Sequence, residues 1–149
     1  MTDDERASGG RRASREAALH MLYRWEMGRL SVDEAIETYW QSAVVEAPHS
    51  QRRYAERLAR GTVERQPILD RLIEEASEHW RLSRMSVIDR AILRLAAFEL
   101  LAEPEVPPRV VLNEALELAR QYSGDDAVRF VNGVLDAVRR RIDAGLLAD

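Results

Sequence analysis

The chain has 149 residues and a formal net charge of −4, a length that makes one domain with a core needing no covalent staple. It contains no cysteine, which excludes disulfides, zinc-thiolate sites, iron-sulfur clusters and a cysteine nucleophile and fits a reducing cytoplasm. The negative balance argues against a protein that grips phosphates by bulk charge, so any nucleic-acid contact must come from local arrangement. All 22 basic residues are arginine, a bias that genomic base composition explains.

Glycine and proline are sparse, and apolar residues recur at three- and four-residue steps, which predicts helices and not strands. Residues 1–9 are acidic, lack the apolar run of a secretory signal and have nothing to bury, so they read as a mobile tail. The first helix is expected over residues 11–27, with Ala18, Leu22 and Trp25 on its buried stripe, Met21 beside it, the arginines off it, and Gly28 as the stop. Ser31 with Glu34 three residues on forms a capping box for a second helix that turns Ile36, Tyr39 and Trp40 inward. A third helix begins near Ser50, buries Tyr54, Leu58 and Gly61, and is kinked or broken at Pro67. A short fourth helix then holds Ile68, Leu69, Leu72 and Ile73.

Ser86 with Asp89 is a weaker capping pattern opening a fifth helix over 88–102, apolar nearly all round and therefore central to a bundle. Arg94 and Glu99 interrupt this stretch, which is too short and too charged to span a bilayer. After Pro104, Pro107 and Pro108, a sixth helix carries Val111, Ala115, Leu118 and Tyr122 on one stripe. A turn at 123–126 places acids at the start of a seventh helix, which buries Val128, Val131, Leu135, Val138 and Ile142. No solenoid repeat or extended heptad run is present.

Catalytic constellations are missing from this pattern. His20, His49 and His79 fall on three elements with no ligand at metal spacing, and no phosphate loop, nucleophile elbow or zinc-protease motif occurs. Glu74 and Glu75 point apart on a helix and read as solvated charge, while Asp125 and Asp126 compensate a helix dipole. No enzyme, cofactor or metal is expected. What stands out is cationic and aromatic. Arg11, Arg12 and Arg15 crowd the expected start of the first helix, where positive charge is unfavourable and where guanidinium forks match phosphate oxygens. Tyr23 falls on the same side as Arg12. Tyr122, Arg129 and Phe130 meet across the 123–124 turn and suit unstacked bases, although both rings read equally well as core. Asn132 and Gly133 are poor helix formers mid-helix, the usual reason for such a glycine being close packing of another helix.

Four stretches carry a family resemblance: RRASREAALHMLYRWE at 11–26, SVIDRAILRLAAFEL at 86–100, VLNEALELA at 111–119 and FVNGVLD at 130–136. In order and spacing they resemble the NusB family over nearly the whole chain. The resemblance implies an all-α bundle of about seven helices, one RNA-binding domain over 10–149 with subdomains of about 10–80 and 81–145. It implies a transcription antitermination factor that binds boxA-type single-stranded RNA in ribosomal RNA transcripts, together with the ribosomal protein NusE in the RNA polymerase antitermination complex. By position, Arg11, Arg12 and Arg15 match the family's arginine-rich RNA-binding start, and Tyr23 its neighbouring tyrosine. Tyr122, Asp126, Arg129 and Phe130 match a second RNA-facing patch, and Asp89 falls in the region that faces NusE.

Two features depart from the family pattern. Ala13 interrupts the arginine run and the tail is acidic, which lowers the expected affinity for bare RNA and raises the partner's weight. Pro67 departs from a smooth third helix. Relatives of this kind occur as monomers and as dimers, so a homodimer stays open. Two other readings compete: a module of the kind fused to ribosomal RNA methyltransferases, against which the lack of a following nucleotide-binding segment before Asp149 counts, and a purely protein-binding bundle whose arginines are solvent cover.

Overall fold

A computed structural model describes residues 3–43, 46–78 and 80–145, with side chains from Arg11 onward. His79 lies outside the described residues. The three- and four-residue apolar steps are realised as seven α-helices among those residues: α1 (Asp3–Met27), α2 (Val32–Ser42), α3 (His49–Glu64), α4 (Gln66–Ala76), α5 (Val87–Ala102), α6 (Pro108–Tyr122) and α7 (Asp125–Asp143). A 3₁₀ turn, Leu82–Arg84, precedes α5. No helix of the described residues is long and apolar enough to cross a membrane.

The chain divides into two compact units, Met1–Val63 and Glu64–Asp149. The expected boundary near residue 80 therefore moves to the α3–α4 junction. The physical reason is α4: its apolar edge, Leu69, Leu72 and Ile73, is fully buried, and α4 packs on α5 and α7. Pro67 does not kink a continuous helix. It sits in the first turn of α4, where its missing N–H has no intrahelical acceptor to lose.

In the first unit α1 packs on α2. Ala17, Met21, Ile36, Ala55 and Ala59 form a core cluster, with Val32, Tyr39 and Trp40 against it. The Ser31 capping box closes in both directions: Ser31 Oγ accepts from Glu34 N, and Ser31 N donates to Glu34 Oε1, each at 3.1 Å. Ser14 Oγ donates to the Gln51 carbonyl at 2.8 Å and so ties α1 to α3.

In the second unit α5 is central, touching α4, α6 and α7, and every residue from 91 to 99 is buried. That run includes Arg94, whose cost of burial is met by a forked pair with Asp70 of α4: Nε to Oδ1 at 2.7 Å and Nη2 to Oδ2 at 3.0 Å. Gly124, with φ at +124°, makes the α6–α7 turn possible. The amides of Ser123 and Gly124 both donate to the Ala119 carbonyl, at 2.9 and 2.8 Å, and stop α6.

Candidate nucleic-acid interface

The three α1 arginines separate. Arg12 is exposed and Arg11 half-buried, but Arg15 is only 2% exposed, which corrects the expectation of three wet guanidinium groups. The spacing explains it: Arg15, Ala18 and Leu22 stand at i, i+3 and i+7, so Arg15 lies on the buried stripe and not off it. A second correction concerns the helix start. α1 begins at Asp3, eight residues ahead of the expected position, so these arginines sit two to three turns inside the helix. The end dipole fades within the first turn, and positive charge here is no longer anomalous on that ground. What remains is geometry. Arg12 and Tyr23, the latter 40% exposed, lie about 20° apart round α1 and about 16 Å apart along it. The Arg11 guanidinium rests 4.3 Å from the centroid of the Tyr54 ring on α3.

On the second unit, Asp126, Arg129 and Phe130 stand at i, i+3 and i+4 of α7 and share one face. Asp126 and Arg129 are exposed, and Phe130 and Tyr122 half-buried, so the two rings are neither sealed core nor wholly open. Gly133 continues the same face at i+7 from Asp126. A Cβ built there meets nothing within 4 Å, and Asn132 is exposed. The expected close approach of another helix at Gly133 is therefore not found; the glycine leaves a bare strip of backbone beside Phe130.

Trp80 was not anticipated as a site residue. It is 54% exposed and meets Phe130 edge-on, with centroids 5.9 Å apart. The available signal was its surroundings: three and four residues on stand Ser83 and Arg84, so Trp80 belongs to no apolar stripe. An exposed tryptophan edge-on to a half-exposed phenylalanine, with Arg129 alongside the latter, offers flat apolar surface next to positive charge.

Asp89 is half-buried in the first turn of α5. Its backbone N donates to Ser86 Oγ at 3.0 Å, while its carboxylate turns away from the cap and accepts from Ser123 Oγ at 2.7 Å. This places Asp89 against the turn that follows Tyr122, within the second unit. Among the described residues no cluster of three or more histidines, cysteines, aspartates or glutamates could hold a metal. His20 packs against Tyr39, centroids 5.8 Å apart. Burial, then the Arg24 charge, pushes its pKa below the ordinary value of 6.5, with Glu16 opposing. Glu75 accepts from Arg141 at 3.2 Å, a surface pairing and not a carboxylate dyad.

Seven helices in two units, with cations and rings displayed on the faces of α1 and α7, define an all-α protein whose surface is suited to binding. Comparison with known proteins narrows this class. The NusB family profile matches residues 12–140, and the chain belongs to the NusB family. The transcription antitermination protein NusB of Koribacter versatilis (strain Ellin345) is 43% identical over 92% of this chain and 93% of its own length. The solved structure of T. maritima NusB superposes with a TM-score of 0.79 at 34% identity, covering 87% of this chain and 90% of that one. A crystal structure of the antitermination factors NusB and NusE in complex with dsRNA contains a chain with a TM-score of 0.81 at 26% identity, covering 89% of this chain and 97% of that one.

Proposed function

We propose that this chain is a transcription antitermination factor that binds boxA-type RNA in ribosomal RNA transcripts together with NusE, in the cytoplasm and without catalysis of its own. The observation that carries this reading is its likeness, over nine-tenths of both chains, to proteins named transcription antitermination protein NusB. The surface chemistry supports it. Arg11, Arg12 and Arg129 supply forked donors for phosphate oxygens, and such contacts set the position of a strand without reading its sequence. Tyr23, Phe130 and Tyr122 supply ring faces for splayed bases, where sequence is read. Asp126 offers an acceptor on the α7 face that carries Phe130, and Asp89 sits against the turn that follows Tyr122, where NusE is proposed to dock. Arg15 acts from beneath, as a buried group that shapes α1, and not as a phosphate contact.

The test is a fluorescence titration of boxA-like RNA, single-stranded and as a duplex, with and without NusE. Tighter binding of the single strand is expected, because its bases are open to the rings. Binding should strengthen with NusE and weaken linearly on a log-log salt plot. An RNA-independent chain, with neither strand form bound at moderate salt with NusE present, sinks the reading.

A further inference from the structure

Three arginines with no role assigned so far converge with Arg11. Arg53, Arg57 and Arg60 occupy i, i+4 and i+7 of α3 and fall within a 60° arc of that helix. With Arg11 of α1 they line an open cleft of about 730 Å³ in the first unit. Among the described residues Glu56 is the one carboxylate in its lining, so these residues make the cleft locally basic in a chain whose net charge is −4. Arg53 and Arg57 are exposed and Arg60 partly so. Arg60 pairs with Asp33 of α2, an aspartate side chain 74% exposed. A pair this wet contributes little, and a polyanion can compete for its guanidinium.

We infer that this α1–α3 cleft holds the sugar-phosphate backbone of RNA flanking the segment read by the rings, as a sequence-independent extension of the interface. The inference rests on the RNA-binding function proposed above. Three features favour RNA over an acidic protein. Arg11 belongs both to the cleft and to the proposed α1 contact surface, so one strand can run from one to the other. The span from Arg53 to Arg60 is about 10 Å, the rise of roughly three stacked nucleotides at about 3.4 Å each. Finally, Tyr54, the aromatic residue of the cleft lining, has Arg11 stacked on its ring at 4.3 Å. It backs positive charge instead of presenting itself to a base, and a cleft of this kind recognises regularly spaced phosphates and not base identity.

The test uses the full chain with NusE and two single-stranded RNAs: a boxA-like core, and the same core extended at both ends by arbitrary nucleotides. The extended RNA should bind more tightly and show a steeper salt dependence, by about 0.7 in log-log slope for each phosphate engaged. In Arg53→Ala/Arg57→Ala the advantage of the extended RNA should shrink about tenfold near 0.15 M salt, as two lost phosphate contacts imply. Arg53→Lys/Arg57→Lys should keep most of it, and circular dichroism should show unchanged helix content. Randomising the extensions should change nothing. An unaltered advantage in the alanine pair overturns the inference while leaving the proposed function intact. So does loss of NusE binding with the extended-RNA advantage retained, since the cleft would then take protein. Failure of the unmodified chain to bind either RNA removes the function and the inference together.

Discussion

Ser123 donates its hydroxyl to Asp89 Oδ1 at 2.7 Å, joining the first turn of α5 to the α6–α7 turn. The contact leaves Asp89 held from two sides, since its amide is already engaged by Ser86. If Asp89 meets NusE as proposed, Ser123 positions it without touching the partner. Ser123→Ala should then weaken NusE binding by about 1 kcal/mol, the usual worth of such a bond, with little change in melting temperature. Calorimetric titration of NusE checks this. Asp89→Ala weakening NusE while Ser123→Ala has no effect would show that Asp89 needs no positioning.

The Trp80–Phe130 pair makes a sharper prediction. Base-aromatic stacking contributes about 1–3 kcal/mol per base, so Trp80→Ala and Phe130→Ala should each weaken RNA binding about tenfold or more. Their effects should not add, because the rings touch. Of the three tryptophans, Trp25 and Trp40 are half-buried while Trp80 is exposed. Quenching of intrinsic fluorescence on RNA addition should therefore disappear in Trp80→Phe. Quenching that persists there assigns the signal elsewhere and removes Trp80 from the interface.

Asp70 and Arg94 are the corresponding test of the fold. The Arg94 side chain is 8% exposed and that of Asp70 21%, so removing the carboxylate takes the forked partner from a buried cation. Asp70→Ala should cost about 3 kcal/mol, read from urea denaturation. Arg94→Met added to it should recover much of that loss, because the buried charge is gone. A double variant no more stable than Asp70→Ala means the pair carries less than its geometry indicates.

Local features of this chain are legible in its sequence, and contacts between distant elements are not. The seven helices, the Ser31 cap and the central place of α5 follow from periodicity and capping chemistry, which are local. Residue type alone puts Arg15 off the apolar stripe, whereas its spacing to Ala18 and Leu22 puts it on the stripe, where it is buried. Pairings between distant elements, such as Asp70 with Arg94, Ser123 with Asp89 and Trp80 with Phe130, depend on tertiary packing that no window of the chain encodes. The α3 arginines share a face by spacing alone, but their meeting with Arg11 depends on tertiary packing.

His20 predicts a pH dependence with a definite sign. Its folded pKa lies below the ordinary 6.5, chiefly through burial and then through Arg24. Between the folded and unfolded values the unfolded chain binds more protons, so stability rises with pH across that window. The contribution is complete above about pH 6.5 and fades as pH falls through the folded value. Thermal melts between roughly pH 8 and 5 should show this slope reduced in His20→Gln, with Tyr39, Arg24 and Glu16 left in place. An identical profile in the variant places the titration elsewhere.

Gly133 separates stability from binding most directly. It lies inside α7, where glycine costs about 1 kcal/mol relative to alanine, and an added methyl has open space around it. Gly133→Ala should therefore raise the melting temperature by about 3 °C for a domain of this size. Selection for stability alone would favour alanine. The strip that Gly133 shares with Asp126, Arg129 and Phe130 gives the competing demand, since a methyl there would stand in the path of whatever lies against Phe130. The variant should thus be more stable and bind RNA or NusE more weakly. A variant that gains stability and binds both as before shows that the bare strip serves no contact.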